Sequence, residues 1–203
     1  MKNKFLIFIA SISTIINSST YSAEYDYPSE TIILHLPNQD ENTWKEITHY
    51  VTKTERIIES IPLFQTIETW SELICIQYAD ISTKDIKVRN NIKIILNLIK
   101  NEILLSYPNT KVTWRIIENN KKDAIYEWIL HAPHNNIPPQ HEISRAFLTK
   151  TGFHRVAFTR KNNEMNAEER DKWIQLLKEK SSLVSFPKAI HSNGLSMANN
   201  LKD

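Results

Sequence analysis

The stretch HAPHNNIPPQHE, residues 131–142, places three histidines and a glutamate within twelve positions. Imidazole nitrogens are common zinc ligands, and three of them leave a fourth position open for water or substrate. His131, His134 and His141 are therefore candidate metal ligands, and the chemistry they would support is metal-dependent hydrolysis. The competing reading is an exposed connection. Pro133, Pro138 and Pro139 are typical of one, and the spacing matches no established zinc motif.

A second candidate emerges from the strands around that stretch. Side chains alternate across a strand, and directly opposite residues share a face. Placing His131 opposite His141 pairs Ile129 with Ile143, Glu127 with Arg145 and Ile125 with Phe147. A two-residue turn at Thr151-Gly152 pairs Phe147 with Val156 and Arg145 with Phe158. A four-residue loop over 119–122 pairs Trp114 with Glu127. One apolar face then carries the row Trp114, Glu127, Arg145, Phe158, an expected ion pair between two aromatic rings. As a binding site, Arg145 would hold a carboxylate or Glu127 would act as a base. As a structural pair, the two charges would fix strand register.

Cys75 is the only cysteine, so no internal disulfide forms and packing must hold the fold. It lies in the strand-like run SELICIQY, where a buried small hydrophobe is expected. Gly152 and Gly194 are the only glycines, which excludes a glycine-rich phosphate loop.

The elements that position these residues follow from periodicity. Strands are expected over 31–36, 43–51, 55–61 and the apolar part of 68–79, although Trp44, Ile47 and Val51 also fit a helical face. Ser82 with Asp85 forms a capping-box arrangement ahead of a helix carrying Val88, Ile92, Ile95, Ile99 and Ile103. An antiparallel meander follows over 111–118, 123–131, 141–149 and 153–160. A last helix starts at Asn166 and presents Trp173, Leu176 and Leu177 on one side. Helices packed on a mainly antiparallel sheet make an α+β fold, an α/β sandwich.

The N-terminus reads as a leader. Lys2 and Lys4 precede an apolar run from Phe5 to Ile16, too short to span a bilayer, and Thr20 and Ser22 suit cleavage after Ser22. The expected organisation is a signal peptide over 1–22, one domain over 23–184, and a loose polar tail over 185–203. The chain has 25 basic and 23 acidic residues. Lys2 and Lys4 leave with the leader, so the mature chain is formally neutral. No basic surplus remains for nucleic acid, no membrane anchor is expected after cleavage, and no cofactor is expected.

ETWSELICIQY, the triplet Tyr126-Glu127-Trp128, HEISR, GFHRVAFTRK and ERDKWIQLL, in that order, resemble a group of small exported proteins of unknown function from gamma-proteobacteria. The similarity covers residues 30–184. It assigns no residue a role. More distantly, the element order resembles the PsbP-like α/β/α sandwich, whose members are mostly accessory or assembly factors. The leader, the neutral mature charge and the absence of a placed nucleophile or phosphate motif lead to the expectation of an exported, non-enzymatic domain, periplasmic or secreted, that binds a protein or small ligand. The alternative is a metal-dependent hydrolase built on the 131–142 loop.

Overall fold

The structure, a computed structural model, describes residues 30–36, 43–150 and 152–185. The leader expected at 1–22 and the tail beyond Ser185 lie outside the described residues.

Strands β1 (Glu30–Leu34), β2 (Trp44–Val51), β3 (Glu55–Pro62) and β4 (Glu72–Asp80) come first. The expected single helix is two. The short α1 (Ile86–Arg89) is capped by Asp85, whose side chain accepts from the Lys87 N–H, and α2 (Ile92–Ser106) is capped in the same way by Asn91. Asn90 and Asn91 separate them because asparagine competes with helical hydrogen bonds and favours caps. The meander β5 (Val112–Asn119), β6 (Asp123–Leu130), β7 (Gln140–Leu148) and β8 (Gly152–Lys161) follows. Asn166 caps α3 (Ala167–Lys180), and the chain turns directly into β9 (Ser181–Ser185).

Seven antiparallel strands form the main sheet in the order β2-β3-β4-β8-β7-β6-β5, and β1 pairs with β9 in a separate ribbon. The fold is α+β with a mainly antiparallel sheet, as the periodicity indicates. β9 was expected to be the last residues of the domain and the start of a loose tail. It is ordered by pairing with β1, a partner about 150 residues away in sequence that no local pattern announces.

Each face of the sheet carries a helix. On one side Ile92, Leu96, Ile99 and Ile103 of α2 pack with Tyr126, Trp128, Leu130 and Phe153. On the other, Trp173, Leu176 and Leu177 of α3, with Ile32 of β1, pack with Ile125, Ile143, Val156 and Phe158. Both edge strands contain a register irregularity, at Ile47 in β2 and at Ile117 in β5. Such bulges discourage edge-to-edge association.

The register differs from the expected one in three places. β6 and β7 pair Glu127 with Ile143 and Ile125 with Arg145, and β7 and β8 pair Arg145 with Val156 and Ile143 with Phe158. Both hairpins are displaced by two residues, so every side chain keeps its face while its opposite neighbour changes. β5 is displaced by one. Arg115, not Trp114, stands opposite Glu127. The bulge at Ile117 makes that difference.

Candidate functional site

The site is built on four elements. β6 supplies Glu127, β7 supplies His141, the first turns of α3 supply Arg170, and the edge strand β5 supplies Arg115. Glu127 and His141 point to the α3 side of the sheet and are fully buried.

Arg170 clamps the carboxylate with two parallel hydrogen bonds, Nε to Oε2 at 2.6 Å and Nη2 to Oε1 at 3.1 Å. Arg115 adds a third from Nη1 to Oε1 at 3.2 Å. His141 Nε2 lies 3.4 Å from Oε2. The Met165 N–H donates to His141 Nδ1 at 3.2 Å. An imidazole nitrogen that accepts carries no proton, so in this geometry Nε2 holds the hydrogen and aims it at Glu127. Burial alone pushes the Glu127 pKa up. Hydrogen bonds from His141 and Arg170, reinforced by the Arg170 charge, more than reverse this and hold it at about 2.

This arrangement has a clear chemical meaning. A carboxylate–imidazole pair acts as a base only when the distal imidazole nitrogen can take a proton from substrate. Here that nitrogen is occupied by the backbone of Met165. Glu127 is likewise a strong anion held by two guanidiniums, with little basicity. In this geometry the cluster offers no free imidazole nitrogen for proton transfer and can hold and orient charged groups.

The expected row of four is not assembled. Arg145 keeps the α3 face but turns away from Glu127. It forms a bidentate pair with Asp123, Nη2 to Oδ2 at 2.7 Å and Nε to Oδ1 at 3.2 Å. Its Nη1 lies 2.7–3.1 Å from the carbonyl oxygens of Leu177, Lys178 and Ser181. It therefore caps the C-terminal end of α3, where unpaired carbonyls and the helix dipole favour a cation. Trp114 lies on the opposite face, stacked on Tyr126 at 4.9 Å between ring centroids. Phe158 is core, stacked on Trp173 at 3.6 Å and meeting Trp44 edge-on at 6.5 Å. Only Glu127 of the four belongs to the site.

The three histidines also part company. His131 Nε2 is 2.7 Å from the Thr113 hydroxyl, and its Nδ1 is 3.8 Å from a Glu164 oxygen. His134 Nδ1 is 2.9 Å from the Thr110 hydroxyl, and its ring stands edge-on to Tyr107. Reciprocal backbone hydrogen bonds between His134 and Ile137 close a tight turn within the loop. His141 is buried with Glu127. Among the described residues no three His, Cys, Asp or Glu side chains are placed to hold a metal ion.

The α2 side of the sheet holds a second buried pair. Arg155 Nη1 meets Glu142 Oε1 at 3.0 Å, and the hydroxyls of Ser144 and Thr159 donate to the same carboxylate. Cys75 is buried nearby, and burial pushes its thiol up to about 12, which leaves no thiolate for nucleophilic attack. His154 of β8 is buried against Tyr78, with Nε2 3.6 Å from Glu30 of β1.

Arg115, Arg170, Asp123 and the Glu142–Arg155 pair were missed by sequence reasoning. The α2-side pair had a legible signal: in β8, Arg155 and Thr159 interrupt the face that carries Phe153 and Ala157. Arg170 had none, because it looks like an ordinary surface residue of a charged helix.

No family model matches the chain, and no curated protein matches it.

Proposed function

We propose that this chain is an exported, non-enzymatic binding or accessory domain of the bacterial envelope or the extracellular space. One observation carries the reading. The residues with catalytic chemistry are committed to each other: His141 has both nitrogens engaged, Glu127 is locked by Arg170 and Arg115, and the Cys75 thiol is buried and protonated. What stays open to solvent at this site is the outer side of two arginines, a surface for recognition. The leader-like sequence around Lys2, Lys4 and Phe5–Ile16 supports export. None of the helices among the described residues is long and apolar enough to cross a membrane.

The finer kinship, with small exported gamma-proteobacterial proteins and with PsbP-like α/β/α sandwiches, is part of this proposal. One helix on each face of an antiparallel sheet supports it, and accessory roles in that fold agree with a recognition surface. The unidentified partner would be a protein or small ligand.

The test is fractionation of cells producing the chain, with antibody detection in cytoplasm, periplasm, membranes and medium. The expected result is a shortened chain in periplasm or medium. Full-length chain confined to the cytoplasm overturns export. The rival, a metal-dependent hydrolase at His131, His134 and His141, predicts stoichiometric zinc in equilibrium dialysis that disappears in His131→Ala. Bound zinc of that kind overturns the non-enzymatic reading.

A further inference from the structure

The charge balance around Glu127 is uneven. Arg170 alone satisfies both carboxylate oxygens, and His141 contributes a further N–H. Arg115 is therefore more than the buried carboxylate needs. At the buried carboxylate two guanidiniums meet one negative charge, the second charge being balanced only by Asp171 at the rim, and the free donors face outward: the Arg115 side chain is 61% exposed. Its Nε and Nη2 have no partner among the described residues. The remaining Arg170 nitrogen, Nη1, makes only a 3.1 Å contact with the adjacent, largely exposed Asp171. Such a pair is screened by water and easily exchanged.

The Arg170 guanidinium is also held in place, and Arg115 is tethered to the same carboxylate through Nη1. Met165 fixes His141, His141 helps fix Glu127, and Glu127 fixes Arg170 through two parallel hydrogen bonds. A preorganised fork loses little conformational freedom when a ligand arrives. Arg115 lies on an edge strand, so no neighbouring strand covers its approach.

We propose that Arg115 and Arg170 form a carboxylate clamp on the protein surface. A ligand carboxylate takes the Nε and Nη2 donors of Arg115 in a bidentate fashion and accepts from Arg170 Nη1 in place of Asp171. With Asp171 displaced, one surplus charge remains and matches a monoanion. A phosphate dianion would overcharge a rim that already holds Asp171. The inference rests on the binding reading above and names the ligand chemistry of the same site. That carboxylate belongs either to a free small acid or to an acidic side chain of a partner polypeptide.

The test uses the purified chain with its arginine Nε–Hε groups followed by NMR. Sodium acetate is titrated in, against sodium chloride and sodium phosphate at equal ionic strength, and a short glutamate-bearing peptide is run in parallel. Acetate is expected to move the Arg115 and Arg170 signals in a saturable way, and chloride is not. Arg115→Gln is expected to weaken acetate binding about tenfold with only a small drop in the unfolding midpoint, since Arg170 by itself reaches both oxygens of Glu127. Arg115→Lys keeps the charge but loses the fork, and is expected to weaken binding as well. A peptide that binds more tightly than acetate identifies a polypeptide source; equal affinity identifies a small acid. Equal responses to acetate and chloride, undiminished binding in Arg115→Gln, or tighter binding of phosphate overturns the clamp. An exported chain that crosslinks to an envelope protein yet ignores acetate loses the clamp and keeps the binding role.

Discussion

Arg170 of α3 and Glu127 of β6, 43 positions apart, meet through two parallel hydrogen bonds, and this contact ties the last helix to the centre of the sheet. The carboxylate is wholly buried, whereas the guanidinium keeps one side in water. That asymmetry sets the energetics. The buried anion depends on its partners more than they depend on it.

Glu127→Gln removes the charge and keeps the shape. The amide then presents N–H groups to guanidiniums that also only donate. We expect a loss of about 3 kcal/mol, near the low end for breaking a buried pair because Arg170 can turn to solvent. Urea unfolding checks this, with a lower midpoint and an unchanged slope. A midpoint equal to that of the parent chain would show that the cluster contributes nothing to stability.

Acid should unfold the protein in two steps of different origin. Burial, then the Arg56 charge, pushes the His154 pKa from 6.5 down to about 4. The unfolded chain takes up a proton at this position below 6.5 and the folded chain does not, so stability falls between pH 6.5 and about 4. Glu127 is depressed from 4.5 to about 2, so its contribution is present above 4.5 and is lost as pH falls towards 2. Thermal unfolding across pH should show that His154→Gln flattens the upper window and Glu127→Gln the lower one. Variants that leave both windows unchanged contradict these assignments.

Gly152 is required by space rather than by backbone freedom. A Cβ there would lie 2.4 Å from Tyr78 Cε2 and 2.9 Å from His154 Nε2. Both neighbours are buried rings, so neither can move cheaply. Gly152→Ala is expected to cost about 1–3 kcal/mol, and adding Tyr78→Leu should return part of it. A melting temperature unchanged by Gly152→Ala alone would show that the site has room.

Arg145 joins three things at once: Asp123, the last turn of α3 and the start of β9. Arg145→Met keeps the stem but leaves the carbonyls of Leu177, Lys178 and Ser181 without their cation. We expect about 2 kcal/mol of destabilisation. Amide exchange should also accelerate at Ser182–Ser185 and in the final turn of α3, more than in β7 itself. Uniform acceleration would mean that the residue supports the sheet and not the cap.

The expected and observed strands agree closely because their signals are local. Alternation in Asp123–Leu130 and Gln140–Leu148 shows which side chains share a face, and Asn166 with its apolar positions three and four apart marks α3. The candidate site was read in part. Glu127 is in it because a carboxylate among Ile125, Ile129 and Tyr126 demands a partner. The partner itself was misassigned. Arg145, directly opposite Glu127 in the expected register, satisfied the alternation, and a helix residue 43 positions beyond Glu127 gave no sign of competing for it.

The sequence by itself determined the periodicities: which segments other than β9 are strands, which are helices, and, within an unbulged strand, which side chains share a face. Those follow from steric rules acting over a few residues. Tertiary structure decided between registers that differ by two, because such registers bury the same faces and differ only in cross-strand neighbours. It placed Arg145 on the carbonyls of α3 and Arg170 on Glu127. It also set the bulge at Ile117 that turned Trp114 to the other face and brought Arg115 to Glu127. It used one nitrogen of His141 on Met165 and so converted a candidate metal ligand into part of a lock. A buried charge takes the partner that three-dimensional packing brings nearest, and sequence distance has little say in which one that is.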